Sequence, residues 1–244
     1  MVVALVGTSD RFDAEQGEKK APRLLYLTHT AGFKHAVLPL SEQVMTELGK
    51  KSGAFEATVM KDCSLITAKG LKDYRVVVFN TTGELPMNEE QKAALLEFVR
   101  SGGGFVGIHS ATDTFYKWPD YGELIGGYFD GHPWHEEVTL KVEDARHPAT
   151  RHLPSSFRLT DEIYQFKSWS RNKVHVLVSL DVASVDLTKK GVNRTDKDFA
   201  LAWTREVGKG RVFYTALGHR DEVWQDERFQ QHLLGGVKWA MRER

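Results

Sequence analysis

The sequence predicts an α/β domain, with a mostly parallel central sheet flanked by helices and antiparallel strands extending one edge. Three observations carry this expectation. In the first half, short continuous apolar runs, the mark of strands covered on both faces, alternate with amphipathic helical stretches. In the second half, a glycine-rich turn separates two apolar strands, which is a hairpin signal. Finally, the 244 residues show no stretch of Pro, Ser or charge bias that would mark a domain boundary.

Leu24–Thr28 (LLYLT) is the first buried strand. Ser41 is placed to cap a helix reaching about Lys51, with Val44, Met45 and Leu48 at helical spacing. Phe55–Met60 and the β-branched Arg75–Asn80 read as the second and third strands. Asn88, followed three residues later by Gln91, is a capping box opening a helix with Ala94, Leu95, Phe98 and Val99 on one stripe. Ser101–Gly104 stops that helix, and Phe105–His109 is the fourth strand. Glu137–Val142 and Val174–Leu180 alternate or run apolar. Phe199–Thr204 and Arg211–Ala216 flank the turn Gly208-Lys209-Gly210. A last amphipathic helix spans about Asp226 to Met241, carrying Phe229, Leu233, Val237, Trp239 and Ala240. Residues 1–22 are expected to form a flexible tail, and 23–244 a single domain.

Composition narrows the function. Thirty-three Lys and Arg balance thirty-three Asp and Glu, so no broad basic surface awaits nucleic acid or a membrane. No apolar run approaches the roughly 20 residues of a spanning helix. A single cysteine, Cys63, excludes an intrachain disulfide and a Cys-rich zinc cluster. Ten histidines leave imidazole as the chemical resource. The expected location is the cytoplasm, the alternative being export behind a truncated signal segment. Gly102–Gly104 precedes a strand instead of joining a strand to a helix, so it is no dinucleotide fingerprint and no nucleotide cofactor is expected.

The segment GGGFVGIHSA, residues 102–111, ends a strand among small residues and exposes one functional side chain, His109. Ligands of α/β sheets sit beyond the carboxyl ends of strands, and a sharp strand-to-helix turn is how such a fold presents a reactive group. The segment resembles class I glutamine amidotransferases, which keep a cysteine at this elbow. Here the thiol is absent, and Cys63 lies after the second strand. Further phrases make the resemblance specific: AGFKH (31–35), GGGFVGIHSATDTFYKWPDYGELIGGYFDGHP (102–133), HPAT (147–150), DEIY (161–164) and YTALGH (214–219). Together they resemble the ThuA-like (trehalose utilisation) family over roughly residues 23 to 243. The resemblance implies an amidotransferase-like, flavodoxin-like α/β fold and a tie to the catabolism of glycosides and sugars oxidised at the ring.

His109, His219 and His35 each follow a strand and are expected to converge at one sheet edge. Glu162 would join them as the carboxylate of a divalent-metal shell, with zinc the candidate ion. His109, His219, Glu162, Tyr164 and Asp113 are the catalytic candidates, with Asp221 placed to orient His219. Asp113 alternatively caps the turn after the elbow. His132, Asp161 and Trp118 are the expected substrate contacts, the tryptophan as an exposed platform for a sugar face. His132 and His135 have i, i+3 spacing, but Pro133 between them argues for a loop. The expected partner is a small carbohydrate, and a homo-oligomer is compatible with everything above.

Two functions follow. One is an enzyme, a sugar isomerase, lyase or hydrolase, moving a proton beside a polarised carbonyl or hydroxyl. The other is a non-catalytic sugar-binding or accessory domain that has lost the amidotransferase nucleophile. A Ser110, His219, Asp221 triad is a weaker third, because Ser110 follows the elbow instead of occupying it.

Overall fold

The computed structural model describes residues 20–243. The expected tail, up to residue 19, lies outside them. The chain runs β1 (Arg23–Leu27), α1 (Leu38–Ser52), β2 (Glu56–Met60), a short α2 (Ala68–Leu71), β3 (Val76–Phe79), α3 (Glu89–Arg100) and β4 (Gly104–Ile108). It continues through a 3-10 turn (His109–Thr112) to α4 (Pro119–Ile125), β5 (Tyr128–Phe129), β6 (Glu137–Val142), β7 (Ser156–Thr160) and β8 (Phe166–Lys167). Last come β9 (His175–Leu180), β10 (Ala200–Val207), β11 (Gly210–Thr215), α5 (Asp221–Gln225) and α6 (Glu227–Ala240).

One sheet holds nine strands in the order β2-β1-β3-β4-β11-β10-β9-β6-β7. The first five are mutually parallel, and from β11 outward every pairing is antiparallel. The expected mixed sheet is therefore present, with β11 as the strand that belongs to both halves. The hairpin joins β10 and β11 with Val207 opposite Gly210, and Gly208 takes φ +60°, a conformation glycine adopts without strain. A two-stranded sheet, β5 with β8, stands apart. Among the described residues no helix is long and apolar enough to cross a membrane.

The capping box forms as expected: Gln91 N–H donates to Asn88 Oδ1 (2.8 Å) and Asn88 N–H to Gln91 Oε1 (3.0 Å). Ser41 is different. It lies inside α1, donating to the Leu38 carbonyl and accepting from Tyr26 Oη. Pro39 starts the helix earlier, because its fixed φ suits the first turn, where its missing N–H has no cost. The strand β7 was not expected, since its inward residues Phe157 and Leu159 are only half-buried at the sheet edge.

Helices cover both faces. On one, Tyr121 of α4 packs on Phe79 and Phe105. On the other, His232 of α6 packs on Phe213. His232 Nδ1–H donates to the Ala149 carbonyl, and His147 Nδ1 accepts the Ala149 N–H, so two imidazoles clamp one residue under α6. Burial pushes both rings down to about 4. The unfolded chain takes up these protons near the ordinary value of 6.5, while the fold resists until about 4. Stability is therefore lost as pH falls through that window. Linkage puts the loss at up to about 2 kcal/mol per histidine at pH 5. The urea midpoint at pH 5 is expected to fall clearly below that at pH 7. Equal midpoints would count against neutral, clamped rings.

Candidate functional site

Because β1, β3, β4 and β11 are parallel, their carboxyl ends share one sheet edge, and the order 2-1-3-4 puts a topological switch between β1 and β3. The loop after β1 carries His35, and β4 ends directly at His109. His109 is completely buried at φ +47°, a left-handed conformation that side chains with a Cβ rarely adopt. Such strain of about 1–3 kcal/mol survives only where the surrounding structure enforces it, and it clusters at functional sites. After β11 the chain turns at Gly218, φ +118°, and presents His219. Both backbone amides of that turn are held by Asp161: Gly218 N–H donates to Oδ2 (2.7 Å) and His219 N–H to Oδ1 (3.1 Å). Glu162 and Tyr164 follow in the segment just past the end of β7, not at the start of a strand.

Four side chains meet there. The donor atoms of His35, His109, Glu162 and His219 all lie within 4.8 Å of one another. His109 Nδ1 is 2.7 Å from the Ala216 carbonyl, which can only accept, so Nδ1 carries the proton. In the neutral ring Nε2 then presents a lone pair. It faces Glu162 Oε2 (3.3 Å), His219 Nδ1 (3.3 Å) and Tyr164 Oη (3.0 Å). His219 Nδ1 is 3.2 Å from the same Oε2. The His35 ring stands edge-on to those of His109 and His219, at 4.9 and 5.3 Å between centroids. Its Nδ1 is buried without a hydrogen-bond partner among the described residues.

Burial, then repulsion from His109 and His219, pushes His35 down to about 3, so its ring is neutral. Burial opposes ionisation of Glu162, but the imidazoles of His109 and His219 set against Oε2 outweigh it and hold the carboxyl well below the usual range. The bond to Glu162 in turn raises His219, against burial. Three imidazoles around one carboxylate, with the Ala216 carbonyl fixing the His109 tautomer, form a donor set suited to a borderline divalent cation.

The ThuA family profile, described as "Trehalose utilisation", matches residues 23–240. The chain belongs to the ThuA family. Among solved structures, a ThuA-like protein from Bacteroides uniformis is 26% identical at a TM-score of 0.72, with 91% of this chain and 93% of that one covered. A ThuA-like protein from Parabacteroides merdae is 24% identical at 0.70, with 91% and 90% covered. PurLQS from Thermotoga maritima, 14% identical at 0.54 with 90% and 99% covered, shares the amidotransferase-like fold. No curated protein matches the chain. The ThuA fold here thus has His109 at the elbow. Cys63, buried between β2 and α2 with its thiol pushed up to about 11 by burial, supplies no nucleophile there.

The cluster at this sheet edge gathers His35, His109, Glu162, His219 and Tyr164. Asp113 stands beside them: its carboxylate accepts from Tyr116 Oη (2.7 Å), burial raises its pKa, and the charges of His109, Glu162 and His132 act on it. Three expectations are corrected. Asp161 faces the protein, both oxygens taken by backbone amides, so it positions His219 and is not free for substrate. Trp118 is 8% exposed, packed against Phe115 and Tyr121, so it is no exposed platform. Asp221 is exposed on the first turn of α5, and the carboxylate on the His219 ring is Glu162. Ser110 donates to Asn80 Oδ1, away from any triad.

Two further residues border the cluster. His135 joins His132 beside Glu162 although Pro133 breaks any helix between them, because a loop can bring i and i+3 together as well as a helix can. Phe33, 66% exposed, sets its ring edge-on to His35 at 4.9 Å. The phrase AGFKH contained it, but nothing in the letters marks one phenylalanine as exposed.

Proposed function

We propose that this ThuA domain is an enzyme of carbohydrate catabolism, acting on a glycoside or an oxidised (keto) sugar at a divalent-cation centre of His35, His109, Glu162 and His219. The convergence of four donors from four separate segments into one buried cluster carries the reading. These four residues would hold the cation, which when bound would supply Lewis-acid polarisation of a carbonyl or hydroxyl oxygen. Asp113, its carboxyl raised by burial, is placed to give or take the proton at the adjacent carbon. Tyr164 Oη, bonded to His109 Nε2, orients that ring or an oxygen brought against it. Phe33 offers the flat apolar face against which a sugar's C–H groups pack. The family's description, trehalose utilisation, supports the substrate class.

Elemental analysis of the purified chain, beside a screen of keto-disaccharides, tests this. Stoichiometric metal is expected, with turnover lost on chelation and restored by zinc or manganese. Full turnover in the chelated protein overturns the cation centre. Sugar affinity without metal or turnover identifies a binding module instead.

A further inference from the structure

Glu162 spends only one carboxylate oxygen on the buried cluster. Oε2 faces His109 and His219, at 3.3 and 3.2 Å. Oε1 faces the other way, 3.6 Å from His132 Nε2 and 3.6 Å from His135 Nε2. The donors of His132, His135 and Glu162 form a second group within 4.8 Å of one another, sharing only Glu162 with the first. Their environments differ. The inner group is buried, whereas the side chains of His132 and His135 are 41% and 45% exposed.

The loop that carries this pair is held firmly. Trp134, between the two histidines, is completely buried and donates its indole N–H to the Asp186 carbonyl (3.1 Å). Its own carbonyl accepts from Ile163 N–H (2.9 Å), the residue next to Glu162. The loop is thus tied to the carboxylate's own segment, and the two imidazoles, joined by a hydrogen bond between His135 Nε2 and His132 Nδ1 (2.7 Å), stand beside that carboxylate before any ligand arrives.

We propose that Glu162 is a bridging carboxylate between two cation sites: the buried one of His35, His109 and His219, and a second, solvent-facing one of His132 and His135. The inference rests on the cation centre proposed above. With only three protein donors, the outer site leaves positions open for water or for the vicinal oxygens of a sugar. Paired cations that share a ligand in this way clamp the two oxygens of a reacting group.

The test uses the full chain, freed of metal by chelation, titrated with zinc alone and desalted before its content is measured. Two tightly held equivalents are expected in the wild type. One is expected in the His132→Ala/His135→Ala double variant, whose exposed positions leave the circular dichroism unchanged. Loading with manganese is expected to give an exchange-coupled electron paramagnetic resonance spectrum that the double variant loses. One equivalent in both proteins, two equivalents in both, or two uncoupled ions in the wild type overturns the bridge and leaves the inner site standing. No tightly held zinc in either protein overturns the inner centre itself.

Discussion

Replacing His109 with alanine is expected to remove the inner cation and reduce turnover on the order of 10³-fold or more. The ring is completely buried, its Nδ1 proton is fixed by the Ala216 carbonyl, and its Nε2 lies at the centre of the cluster. Alanine leaves that carbonyl without its partner and Glu162 with one fewer imidazole. It also keeps the strain, because any Cβ is unfavourable at φ +47°. His109→Asn separates site from scaffold, since asparagine tolerates the left-handed backbone better than other residues. It is expected to fold as the parent does and still lose metal and turnover. Turnover near wild type in either variant would remove His109 from the chemistry.

Asp161→Ala is expected to be the most damaging change to stability around the site. Its carboxylate accepts two backbone amides inside the protein. Hydrogen bonds to a charged acceptor contribute about 1.5–3 kcal/mol each, so losing both costs about 3–6 kcal/mol. For a chain of this size that lowers the melting midpoint by roughly 10 °C. Releasing the Gly218 turn also frees His219, so cation affinity is expected to fall about 10–100-fold, as when an outer partner of a ligand is removed. Asp161→Asn keeps one acceptor oxygen and should fall between. Calorimetry with metal titration reads both effects, and a variant that melts with the parent would show that the turn holds itself.

Local rules were legible wherever one short segment contains the whole cause. The Asn88 and Gln91 box is complete within four residues, and Val76–Phe79 declares itself by branched side chains buried on both faces. Ser41 shows the limit: its letters are those of a cap, but Pro39 two positions earlier starts the turn first. The three strand-end histidines could be placed because a parallel sheet collects its carboxyl ends on one edge. The work of Asp161 could not, because its partners are backbone amides near residue 218, and amides leave no signature in a sequence. Trp118 failed for a related reason. Exposure depends on what packs above a ring, and here Phe115 and Tyr121 pack on it.

The spread of the cluster along the chain has a consequence for assembly. His35 follows the first strand and His219 the last, so most of the polypeptide must be in place before the donors meet. Long-range closures of this kind come slowly, after the local helices. Under the function proposed above, capture of the cation would report completion of the whole sheet. A nascent or truncated chain ending before residue 219 lacks one of the four donors, and refolding with and without a chelator should share early phases and diverge only at the final consolidation step.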